Sequence, residues 1–127
     1  MIKSHVMIGQ KVNFDGLQYG NIHPTDIDGL IEYKDIARVF LEFKYRGAQM
    51  PRGQRVALER IVDDARKAGR EAVLFLCSHN NQAGREDIDA ASAIVTAIYW
   101  NGKWRPATGK TVRQQCDRFF LWVESLA

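Results

Sequence analysis

The chain has 127 residues, enough for one domain with a single core. Its 46% hydrophobic and 26% charged content is that of a globular protein, and no apolar run approaches the ~20 residues needed to cross a bilayer, so no membrane partner is expected. The 18 basic and 15 acidic residues leave a net charge of +3, mixed along the chain, so any phosphate-binding surface must come from folding.

The amino-terminal residues have no sustained apolar core and no small-residue cleavage site, so no signal peptide and a cytoplasmic location are expected. Cys77 and Cys116 lie in different apolar segments and read as buried thiols, neither a disulfide framework nor a zinc site. Val6 to Ile8 fits a short strand or a helix turn. Asn13 to Gly16 and Tyr19 to Asn21 carry turn chemistry, and Phe14, Leu17 and Tyr19 are expected to pack down over the core. Pro24 holds His23 extended.

Residues 27–33 form the first predicted strand and residues 38–44 the second, with Asp35 and Ala37 in the turn between them. The short connection predicts an antiparallel hairpin. Val39, Leu41 and Phe43 take one face of the second strand, and Phe40, Glu42 and Lys44 the other. After a loop over residues 46–53, a helix is predicted over residues 54–68. Its apolar face is Ala57, Leu58, Ile61, Val62 and Ala65, and Gly69 caps it. Residues 72–78 are almost continuously apolar and predict a central strand buried on both faces. Hairpin, helix and buried strand imply a right-handed crossover that lays the new strand parallel to a hairpin strand. A polar loop over residues 79–84 follows. Residues 94–100 and 103–105 then flank Asn101-Gly102, a strong hairpin signal. Thr108 to Thr111 opens a last helix with a stripe of Val112, Cys116, Phe119, Phe120 and Val123. The fold class is α/β, a central mixed sheet flanked by helices in one domain over residues 1–127.

Glu42 and Lys44 leave the same face of their strand. An ordinary salt-bridged sheet edge would account for them, but Phe40 shares that face. The preceding strand also begins with Asp26 and Asp28. Antiparallel pairing returns a carboxylate from the start of one strand beside the end of the next. Two or three carboxylates and a lysine are what metal-dependent phosphodiester hydrolysis requires. Mg²⁺ takes oxygen ligands, and an ammonium can orient the attacking water.

Asp28, followed by Glu42-Phe43-Lys44 at a strand-turn-strand distance, resembles the motif of the PD-(D/E)xK nuclease superfamily. The helix carrying Gln54 and the buried strand after Gly69 follow in the same order. The resemblance covers about residues 24–79. It looks closest to small phage-type nucleases, Holliday-junction resolvases and VRR-type nuclease domains. It implies a restriction-endonuclease-like core and Mg²⁺-dependent cleavage of DNA, structure-specific or junction-resolving, with Mn²⁺ as a substitute. Asp28 and Glu42 would be carboxylate ligands, the Phe43 carbonyl a further ligand, Lys44 the residue acting on the water, and Gln54 a contact to phosphate or water. The literal Pro-Asp pair is absent, since the sequence reads Pro24-Thr-Asp26-Ile-Asp28, and Asp26 can replace or assist Asp28. No amino-terminal helix bears a helper acid, for which Asp15 is the nearest candidate. A homodimer and a bacterial cytoplasm as the place of action also follow from the resemblance.

Tyr45, Arg46, Arg52 and Arg55 could line a nucleic-acid groove, or be solvated. Lys110 carries the same pair of readings. His23 could contact the scissile phosphate or bind metal, against an ordinary loop histidine, and His79 poses the same choice. Trp100 and Trp104 suit cross-strand packing better than base stacking. Gly109-Lys110-Thr111 evokes the end of a phosphate-binding loop but lacks its first glycine. The competing functions are a catalytically silent nucleic-acid-binding module and a host-inhibiting interaction protein on the same fold.

Overall fold

A computed structural model describes residues 12–81 and 87–126. The reading of Val6 to Ile8, and the last residues of the polar loop over 79–84, lie outside the described residues. Five strands form one sheet in the order β1 (Gly29–Tyr33), β2 (Ala37–Tyr45), β3 (Glu71–His79), β4 (Ile94–Trp100) and β5 (Lys103–Pro106). Helix α1 (Arg52–Lys67) joins β2 to β3, and α2 (Val112–Ser125) follows β5. The β2–β3 pair is parallel and the other three pairs are antiparallel. The architecture is therefore α/β with a central mixed sheet flanked by helices.

Local chemistry sets the element ends. Lys34 and Asp35 both take positive φ in the β1–β2 turn, and Asn101-Gly102 do so between β4 and β5, matching the right-handed twist of the flanking strands. Ala37, expected in the first of these turns, is instead the fully buried first residue of β2, because the turn closes over Lys34 to Ile36. Helix α1 starts two residues earlier than predicted, directly after Pro51, whose carbonyl accepts from the Arg55 N–H. It ends in a Schellman arrangement. The Gly69 N–H bonds to the Arg66 carbonyl and the Arg70 N–H to that of Ala65, with Gly69 in the left-handed region that its missing Cβ allows. At the start of α2 the Thr111 hydroxyl accepts from the Gln114 N–H while the Gln114 side chain accepts from the Thr111 N–H, a capping box.

Strand alternation divides the core in two. Val39, Leu41, Val73, Phe75, Cys77 and Val95 face α2 and meet Val112, Cys116, Phe119 and Val123. Phe40, Leu74 and Tyr99 face α1 and meet Leu58 and Val62. Cys77 and Cys116 are buried free thiols, and burial pushes the first up to about 12 and the second to about 11. Phe120 stacks on Tyr33 with ring centroids 4.1 Å apart. Two expectations fail. Ile61 lies at the solvent margin of α1, whose buried stripe is narrower and centred on Leu58 and Val62. Phe14, Leu17 and Tyr19 are exposed, because residues 19–22 close a turn on themselves, with Tyr19 and Ile22 exchanging backbone bonds, instead of joining the sheet. Among the described residues no helix is long and apolar enough to cross a membrane.

Candidate active site

The site is built at the carboxyl end of β2. Alternation sends Phe40, Glu42 and Lys44 toward α1, and Phe40 and Leu58 close the apolar floor there. Glu42 is only 1% exposed, the least accessible charged residue described. Such a group needs partners. Gln54, on the first turn of α1, supplies one: its Nε2 donates to Glu42 Oε2 at 2.5 Å. Its Oε1 accepts from Lys44 Nζ at 3.0 Å. The amide therefore bridges carboxylate and ammonium and fixes both side chains to the helix start. Lys44 itself forms no salt bridge among the described residues, so its charge is not committed to a carboxylate.

Asp28 enters from the neighbouring strand. The β1–β2 ladder stops at the Gly29–Leu41 pair, leaving the edge of β2 open beyond it. Asp28 continues the ladder with its side chain, Oδ2 accepting from the Phe43 N–H at 2.8 Å. Gly29 helps bring it there. A Cβ at this position would lie 3.2 Å from Leu41 Cδ1, tighter than ordinary packing, so the bare backbone lets β1 approach β2 just before Asp28. From this position, one residue along from Glu42, the Asp28 carboxyl acts on that of Glu42. Burial, then Asp28, push the Glu42 carboxyl up to about 8. Lys44 opposes the rise, and Asp26 adds the smallest push.

The oxygen donors at this point are the two carboxylates and the Phe43 carbonyl. In extended backbone a residue's C=O and N–H leave on the same edge, so that carbonyl shares the edge occupied by Asp28. Among the described residues no three His, Cys, Asp or Glu side chains converge as metal ligands. Two carboxylates and a carbonyl nonetheless fit Mg²⁺ or Mn²⁺, hard ions that retain several waters. A divalent cation would also offset the burial and the Asp28 charge that keep Glu42 protonated.

The remaining predicted residues divide. Asp26 is exposed and reaches Glu42 through charge alone. His23 is exposed and makes no hydrogen bond to the cluster among the described residues. Asp15 lies in a single 3₁₀ turn, its N–H bonded to Asn13, and does not join the site. Tyr45 ends β2 past Lys44, and Arg46 follows it in a turn with positive φ. The Arg46 guanidinium stands 5.0 Å over the Tyr45 ring, which packs against His79 at 5.8 Å. The His79 carbonyl accepts the Arg46 N–H, and its Nδ1 accepts the Asn81 N–H. Arg52 is exposed at the first position of α1. Arg55 pairs with Glu59 at 3.1 Å, which offsets its charge. Trp104 lies opposite Tyr99 across the hairpin, a cross-strand aromatic pair, whereas Trp100 turns to the other face and meets Trp122 edge-on. Sequence reasoning passed over Ser78, which stands opposite Lys44 in the parallel register. The predicted crossover was the signal that could have found it.

No protein-family model, no curated protein and no solved structure matches this chain.

Proposed function

We propose that the chain is a metal-dependent nuclease of the PD-(D/E)xK type, hydrolysing phosphodiester bonds in DNA. The observation that carries this reading is the connected set at the end of β2: Asp28 held on the Phe43 N–H, and Gln54 joining Glu42 to Lys44. Asp28, Glu42 and the Phe43 carbonyl would hold Mg²⁺, which, when bound, supplies positive charge to the phosphoryl oxygens and lowers the pKa of water. Lys44 orients the attacking water by donating to its oxygen, and its charge favours the anion that develops on phosphorus. Gln54 keeps the Lys44 ammonium and the Glu42 carboxylate in register with one another. Water adds to phosphorus, the bond to one ester oxygen breaks, and a phosphomonoester and a hydroxyl result. Tyr45, Arg46 and Arg52, just beyond Lys44 and at the helix start, would receive the flanking backbone, with Arg55 contributing once released from Glu59.

A structure-specific or junction-resolving endonuclease working as a homodimer in a bacterial cytoplasm, encoded by a phage, is the fuller form of this proposal. The test is cleavage of supercoiled plasmid, linear duplex and four-way junction DNA by purified protein. Cleavage should require Mg²⁺ or Mn²⁺ and vanish in EDTA. Binding without cleavage of any nucleic acid in either metal would overturn the enzyme and leave a silent binding module.

A further inference from the structure

The opposite face of the sheet carries a second site that the nuclease reading does not use. A cleft of about 600 Å³ lies between α2, the sheet and the segment after β5, within the range of small-molecule sites. Gln115, Arg118, Phe119 and Trp122 share one stripe of α2 by their i, i+3, i+4 and i+7 spacing, and all four line the cleft. Arg105 and Lys110 line it from the facing segment.

Three features define the ligand. Arg105, Lys110 and Arg118 form no salt bridge among the described residues, and no acidic residue lines the cleft; Arg105 stands 5.8 Å over the Trp100 ring, which leaves Lys110 and Arg118 as the unengaged cations of the cleft. Gln115 is only 7% exposed, and its side-chain amide has no hydrogen-bond partner among the described residues. Its polar atoms are not among the fully buried unpaired ones, so the amide is open to a ligand as both donor and acceptor. The wall beside the amide and the cations is aromatic: Phe119 and Trp122 lie 6.1 Å apart by ring centroid, and Trp122 keeps 39% of its surface exposed. An aliphatic acid would meet the cations but leave the aromatic wall uncovered. A ligand with a flat, polar-edged ring and a negative charge satisfies all three.

We propose that this cleft binds a nucleoside phosphate. The base lies along Trp122 and Phe119 with its edge on the Gln115 amide, and the phosphate meets Lys110 and Arg118. The start of α2 is not the anion site. Its Gln114 N–H is taken by Thr111 and its Val112 N–H by the Ala93 carbonyl, so side chains do the recognising. The nucleotide could be free or the phosphorylated end of a strand.

The experiment is titration of the whole protein with AMP in EDTA, followed by tryptophan emission. Saturable quenching is expected, with adenosine and inorganic phosphate each weaker by about tenfold or more. Lys110→Ala and Arg118→Ala, both at exposed positions, should each weaken AMP about fivefold to tenfold. Arg113→Ala, on the same helix but outside the cleft, should not. Lys44→Ala should also leave binding unchanged, which separates this proposal from the nuclease reading. Comparable affinity for a 5′-phosphorylated oligonucleotide would mark a strand end as the ligand, and preference for AMP a free nucleotide. Absence of saturable quenching by all four nucleoside monophosphates would overturn the proposal. So would adenosine binding as well as AMP, or binding indifferent to both cation substitutions.

Discussion

Asp28 accepts from the Phe43 N–H, one residue past Glu42, so its charge falls on the Glu42 carboxyl and both cannot ionise there without cost. Burial, with Asp28 as the second cause, raises Glu42 from 4.5 to about 8. The folded protein therefore keeps a proton that the unfolded chain has already released. The stability contributed by protonated Glu42 is full below 4.5 and is lost as the pH rises through about 8. In EDTA the thermal midpoint of the wild type should fall, relative to Glu42→Gln, as the pH is raised across that window. Mg²⁺ should reduce the fall, because the cation replaces the proton between the two carboxyls. Parallel pH profiles for wild type and Glu42→Gln would refute the assignment.

Lys44→Ala should lower the single-turnover cleavage rate by roughly 10²–10³-fold, the scale of losing one transition-state donor, while circular dichroism shows an intact fold. Asp28→Asn should do likewise. Asp26→Asn should cost only a few fold, because Asp26 acts on Glu42 through charge without a hydrogen bond. Equal losses at both aspartates would mean that Asp26 is also a ligand.

Gln54→Ala removes both bonds that tie Glu42 to Lys44. Cleavage should fall about tenfold, and the Mg²⁺ concentration for half-maximal rate should rise, since the Glu42 carboxylate loses its orientation. A slower enzyme with unchanged Mg²⁺ dependence would assign Gln54 to the substrate and not to the carboxylate.

Thr111→Ala breaks the capping box at the start of α2. Urea unfolding should show a loss of about 1 kcal/mol with the slope of the transition unchanged. A loss well under half of that would mean that the Val112 and Gln115 backbone bonds hold the helix start on their own.

Much of this architecture was readable from pattern alone. The hairpin, the crossover helix, the buried parallel strand and the Asn-Gly turn all followed from alternation, helical spacing and turn chemistry, because each is dictated by residues close in sequence. The orientation of Gln54 followed from its helical phase with Leu58. Other features depend on where separate segments come to rest. The Asp28 bond to the Phe43 N–H needs the β1–β2 ladder to stop at Gly29, and no local pattern announces where a ladder stops. Ile61 matched the helical period yet stays exposed, because the buried stripe of α1 is centred on Leu58 and Val62. Gln115 shows why a polar residue within an apolar stripe is hard to interpret. Its burial arises from α2 lying over the cleft, which the stripe itself does not reveal.

The single parallel pairing in the sheet has a consequence for the nascent chain. The β1–β2 hairpin can close as soon as its residues emerge, since its partners are near neighbours. Lys44 and Tyr45 meet Ser78 and His79 only after the whole of α1 has been made and laid across the sheet. Gln54 lies inside that crossover. Half-made chains would therefore carry the acidic residues without the bridge that organises them, and the assembled site would appear in one late step.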